Sequence, residues 1–199
     1  MPWEDFINSY WRDWRSGDRS KDQDKLTDAD WITNWLQKIQ LEAAGMPDVE
    51  VLEQLRTLRA LMLRLVQQLV EGTWPGREQL ELLNPYMGQG PVVRQLAWAP
   101  TGEAELQLQP QRSGWEQVMA EVAASFAAAL LDKESSRFRI CDNPDCLWVY
   151  YDDTRNRSKR YCDDKACGNL MKVRRFRARK KAEADGSPGT TTTNATTEP

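Results

Sequence analysis

The chain has 199 residues, of which 40% are hydrophobic and 29% charged, with a formal net charge of -3 and no histidine. That length suits one medium domain or two small ones with a core of their own, and the composition excludes a wholly disordered chain. The longest weakly apolar run, 122–131, is about half of a bilayer span, and the start Met1-Pro2-Trp3-Glu4-Asp5-Phe6 has no basic or apolar leader; a cytoplasmic protein without a membrane partner is expected.

In chain order, the opening stretch is polar with Trp3, Trp11 and Trp14 interspersed; a helix or turn is expected over 6–14, and 16–25 carries no recognisable motif. Thr27 and Asp28 offer N-caps to a helix in which Trp31, Trp35, Leu36 and Ile39 recur at three and four residues, closing near Gly45-Met46-Pro47. Such a helix buries its tryptophans. A longer helix, about 48–70, carries Leu52, Leu55, Leu58, Met62, Leu65 and Leu69 on one stripe and stops at Glu71-Gly72, which makes it the expected spine of the core. Pro75 opens a short third helix with Leu80, Leu82 and Leu83 that ends by Asn84-Pro85. Val92, Leu96 and Trp98, then Leu106 and Leu108, flank Pro100-Thr101-Gly102 and predict a β-hairpin. Ser113 is placed to cap an alanine-rich helix over 115–132. Residues 1–136 thus read as a mainly α domain with a small β-hairpin, and the threonine-rich end, 183–199, as a disordered tail.

All four cysteines fall within 27 residues, as Cys141-x4-Cys146 and, fifteen residues on, Cys162-x4-Cys167. Two disulfides or four unrelated buried thiols are the competing readings. Disulfides are disfavoured in a reducing cytoplasm, and scattered core cysteines would not pair at equal spacing. One Zn2+, which takes four thiolates tetrahedrally, fits two short loops that converge on a point, so Cys141, Cys146, Cys162 and Cys167 are the expected metal ligands. Pro144 turns the chain between the first pair; 147–151 reads as a strand, 152–158 as its turn, and Arg160-Tyr161 as the return. With a helix after Cys167, residues 137–182 form an α+β, treble-clef-like module. Four thiolates leave the zinc no open position, so the site is structural. The missing histidine removes the common nucleophilic triads, and an enzyme is not expected.

Charge is segregated along the chain. Residues 137–182 hold 14 Lys or Arg against 6 Asp, a net +8, and the remainder carries -11. Four thiolates and one zinc leave the module at about +6, a density that calls for an anionic partner, with phosphate backbone the obvious anion. The candidate contacts are Arg155, Asn156, Arg157, Lys159 and Arg160 in the turn, and Lys172, Arg174, Arg175, Arg177 and Arg179 on the helix. Leu170, Val173 and Phe176 recur at three residues and are expected to dock that helix on the module. Trp148, Tyr150, Tyr151 and Tyr161 fit a minimal core better than a platform for unpaired bases.

The run Arg-Phe-Arg-Ile-Cys-Asp-Asn-Pro-Asp-Cys, then Thr-Arg-Asn-Arg-Ser-Lys-Arg-Tyr-Cys, then Ala-Cys-Gly-Asn-Leu-Met-Lys-Val-Arg-Arg, resembles the bacterial CGNR zinc-finger family across about 137–181. Phe6-Ile7-Asn8-Ser9 and Leu82-Leu83-Asn84 fit the helical ABATE domain that precedes the finger in that family. The resemblance implies one structural zinc on the same four cysteines and a role proposed for the family in stress-induced transcription regulation; RNA binding has also been suggested. Leu170 stands where the family's tetrad has arginine. The leading expectation is a DNA-binding regulator whose acidic domain senses a small-molecule effector or forms a homodimer. An RNA-binding protein and a protein-interaction adaptor with a structural zinc are the alternatives.

Overall fold

The computed structural model describes residues 1–185; of the tail expected over 183–199, residues 183–185 close the last helix, and the rest lies outside the described residues. Trp3, Phe6 and Ile7 share one face of α1 (Pro2–Ile7), and all three are buried. The helix occupies only the start of the 6–14 stretch. Beyond it, β1 (Tyr10–Trp11) pairs antiparallel with β2 (Gln23–Asp24). The intervening 12–22 segment folds because its aspartates accept backbone hydrogen bonds: Asp13 from Arg15 and Ser16, Asp18 from Ser20.

Asp28 caps α2 (Ala29–Ile39) by accepting from the Trp31 amide at 3.1 Å, and Gln40 closes the helix at φ 58°. The helix therefore stops before Gly45. Trp35 is buried and Trp31 stacks on it at 5.3 Å, half-buried. Asp48 caps α3 (Val49–Val70), the longest helix among the described residues, which buries Leu55, Leu58, Met62, Leu65, Val66 and Leu69 as its stripe requires. After α4 (Arg77–Glu81), Pro85 starts α5 (Asn84–Met87) rather than ending a helix, because its missing amide costs nothing in a first turn. The hairpin forms as β3 (Val92–Trp98) and β4 (Ala104–Pro110), with Leu96 opposite Leu106. In α6 (Trp115–Asp132) the cap is Gly114, at φ 135°, rather than Ser113.

The last elements revise the expected module. Strand β5 (Phe138–Ile140), ahead of the first cysteine, pairs with β6 (Val149–Tyr151), so this hairpin encloses Cys141 and Cys146 rather than lying between the two cysteine pairs. The expected return strand at Arg160-Tyr161 is irregular chain. Phe138 and Val149 are fully buried in the same core as α1, α3 and α6, with Phe138 5.3 Å from Trp3. Asn8 seals the contact: its amide donates to the Val149 carbonyl at 2.8 Å and its carbonyl accepts from the Val149 amide at 2.9 Å. The Tyr151 amide donates to Glu4 at 2.8 Å. The basic module thus shares part of its packing with the core of the acidic body.

Candidate metal centre and basic face

Cys141 directly follows β5, and its amide donates to the Trp148 carbonyl at 2.8 Å, which folds 141–148 into a tight knuckle. The Cys146 and Leu147 amides both donate to the Asn143 carbonyl, and Leu147 adopts φ 58° to reverse the chain. Asn143 is fully buried; its amide donates to the Trp14 carbonyl at 3.0 Å and approaches the Cys167 sulfur at 3.5 Å. From the other side Tyr161 packs beside the cluster, and one turn of π-helix, Asp164–Gly168, delivers Cys167.

The four sulfurs lie within 4.8 Å of one another, with Cys146–Cys162 at 3.7 Å and Cys162–Cys167 at 3.9 Å. A tetrahedron with Zn–S bonds of ~2.3 Å has edges of ~3.8 Å, so the spacing fits one zinc ion and is far too long for a disulfide. The four cysteines are positioned to bind one zinc ion, and as thiolates they complete its tetrahedron. Cys141, Cys146 and Cys167 are buried, and Cys162 is half-exposed. Taken as thiols alone the set is frustrated. Hydrogen bonds from Cys146 and Cys162 pull Cys141 down to about 2, the same hydrogen bonds push Cys146 and Cys162 upward, and burial pushes Cys167 upward. A divalent cation is what allows all four to ionise together.

The basic residues sort by what they touch. Arg174 is half-buried, 2.7 Å from the Asp145 carboxylate and 2.8 Å from the Arg15 carbonyl. Arg19 donates to the Asp145 carbonyl, and Gly17, at φ 75°, lies so close that a Cβ there would meet the Asp145 carboxylate at 2.7 Å. The 16–25 stretch therefore clamps the zinc knuckle through Gly17 and Arg19, while the preceding Arg15 carbonyl and Asp145 hold α7 (Asn169–Asp185) at Arg174. Arg157 pairs with Glu134 and Arg160 with Asp142 at 2.7 Å. Arg175 donates to the Tyr161 hydroxyl at 3.3 Å, Arg179 lies 3.7 Å from Glu183, and the Lys159 ammonium sits 5.0 Å over the Tyr150 ring. Arg155, Lys172 and Arg177 are exposed and have no carboxylate partner among the described residues; Asn156 is exposed beside Arg155.

Helix α7 does not dock as its apolar spacing suggests. Val173 and Phe176 are exposed, and the contact with the zinc cluster runs instead through Met171, reinforced by the Arg174 ion pair. From Arg175 through Ala184 every residue is exposed, so the helix projects from the module as a cationic rod. Tyr150 and Tyr161 are buried against the cysteines, as a small core requires. Sequence reasoning missed Asn8, Glu4, Asn143 and the clamp at Arg19 and Asp145. The repeated aspartates of 13–24 signal turns but do not say what the turns grip.

Among the described residues no helix is long and apolar enough to cross a membrane. A family model described as "Putative stress-induced transcription regulator", the ABATE domain, matches residues 1–133, and one described as "CGNR zinc finger" matches 137–180. No curated protein matches the chain.

Proposed function

Because the chain belongs to the ABATE family and carries a CGNR zinc finger behind that domain, we propose that it is a DNA-binding transcription regulator in which zinc holds helix α7 against duplex phosphates. One observation carries this reading: α7 stands clear of the protein along its basic length, with Arg175, Arg177, Arg179, Lys180 and Lys181 all exposed. Like charges on a projecting rod repel one another, and phosphate relieves that repulsion. Lys172 extends the cationic surface along α7, and Arg155 offers a further exposed cation on the 152–158 turn. Arg157, Arg160 and Arg174, already matched by Glu134, Asp142 and Asp145, shape the surface more than they contact the duplex.

Backbone contacts of this kind supply affinity without sequence choice. Tyr150 and Tyr161 are buried and Trp148 and Tyr151 half-buried, which leaves limited ring surface for unpaired bases to stack on and favours duplex. For the acidic domain we propose effector binding in the open groove of about 800 Å³ beside α2, lined by Ile32, Leu36, Leu41 and Met46, or dimerisation. The test is fluorescence polarisation with a labelled random-sequence duplex. Replacing Arg175 and Arg177 together by alanine should weaken binding by roughly tenfold or more at moderate salt. Structured RNA of equal charge that outcompetes the duplex would overturn the DNA reading, and a pull-down surviving nuclease and high salt would favour an adaptor.

A further inference from the structure

The β3–β4 hairpin alternates in two faces because side chains along a strand point to opposite sides. One face gathers Val92, Arg94, Leu96 and Trp98 with Ala104, Leu106, Leu108 and Pro110; the other carries Gln95, Gln107, Gln109 and Glu105 with Val93 and Ala97. The apolar face is uncovered. Leu96 is 80% exposed, Trp98 77%, Leu106 64% and Leu108 55%, and no residue of either strand is buried. Two strands alone are at best marginally stable in water, and a contiguous leucine and tryptophan patch of this kind marks an interaction surface. The base of the hairpin packs on α6: Gly90 sits so near that a Cβ there would meet the Ala120 methyl at 2.4 Å.

We propose that this face is where a second copy of the chain docks, hairpin against hairpin. Arg94 is the one charged residue on the face, so neither phosphate nor a charged peptide finds a complement there. An anionic membrane would meet a body whose residues outside 137–182 carry -11. The face does complement itself. Leu96 and Leu106 lie opposite each other at its middle, with Arg94 two residues before Leu96 and Trp98 two residues after. A two-fold axis through that pair, perpendicular to the strands, lays leucine on leucine and brings each guanidinium over the indole of the other copy. The area is adequate: Trp98 and three leucines offer on the order of 500 Å² per copy, and the flanking residues bring this to the ~600 Å² per partner at which stable interfaces begin.

The docking does not depend on nucleic-acid binding, and either can fail alone because the test uses no nucleic acid. Sedimentation equilibrium of the zinc-loaded full chain should give twice the 23.0 kDa chain mass at tens of micromolar. Leu96→Glu and Trp98→Glu should each raise the dissociation constant at least tenfold with zinc content unchanged, whereas Gln95→Glu on the opposite face should not. A readout needing no variant is amide exchange in the wild-type strands, which should slow as concentration rises from about one to about one hundred micromolar. A monomer throughout that range, a dimer indifferent to both face substitutions, or exchange independent of concentration would overturn the proposal.

Discussion

Asn8 stands where a third strand would pair with β6. Its carboxamide satisfies both the amide and the carbonyl of the buried Val149, at 2.9 and 2.8 Å. Replacing it with alanine leaves both backbone groups without partners, and urea denaturation should register a loss of about 2 kcal/mol. The arginines of α7 divide in the same residue-by-residue way. Arg174, held by Asp145 and the Arg15 carbonyl, anchors the helix, so Arg174→Ala should loosen zinc retention in a chelator competition. Arg177, exposed and without a carboxylate partner among the described residues, should behave oppositely: alanine there weakens duplex binding and leaves zinc retention unchanged.

At the scale of elements, the short β1–β2 ribbon is fixed to α3 through Asp24, which takes hydrogen bonds from Arg59 at 2.6 and 3.0 Å and from Arg56 at 2.9 Å. Burial pushes the Asp24 carboxyl up, but the hydrogen bonds and charge of Arg59 and Arg56 outweigh it and hold the value below the usual carboxylate range. A lowered native value means the stabilisation is complete above the unfolded carboxylate value of ~3.9 and is lost as pH falls through the native one. The stability gap between wild type and Asp24→Asn should therefore be widest near neutrality and close below about pH 4, followed by urea midpoints across pH. Helices α2 and α3 were legible in the sequence because an apolar stripe and an aspartate cap coincide in each. The pairing of β5 with β6 was not: a three-residue strand has too little alternation to reveal its partner, and only the closed core shows which cysteines the hairpin encloses. Nor was the docking face of α7, where one ion pair and Met171 outweigh the three-residue spacing of Leu170, Val173 and Phe176.

For the molecule as a whole, the cysteine spacing revealed the metal site, whereas the core shared by the acidic and basic regions is seen only in the structure. Phe138 and Val149 complete a core begun by Trp3, Phe6 and Phe126, so the two regions matched by different family models share their packing. Removal of zinc should accordingly be felt beyond the module. A chelator is expected to lower the melting temperature of the entire chain in one transition followed by both tryptophan emission and far-ultraviolet circular dichroism; separate transitions would show that the module melts alone. The cationic rod is mounted beside that shared core through Met171 and the Arg174–Asp145 pair, and the proposed phosphate contact is tested most directly by the salt dependence of binding. Zinc-loaded protein titrated into a random-sequence duplex should give a straight line of log affinity against log salt with a slope of about -4 to -5, corresponding to four to six phosphates neutralised at ~0.9 each. A slope near zero, or duplex binding unchanged when zinc is removed, would contradict it.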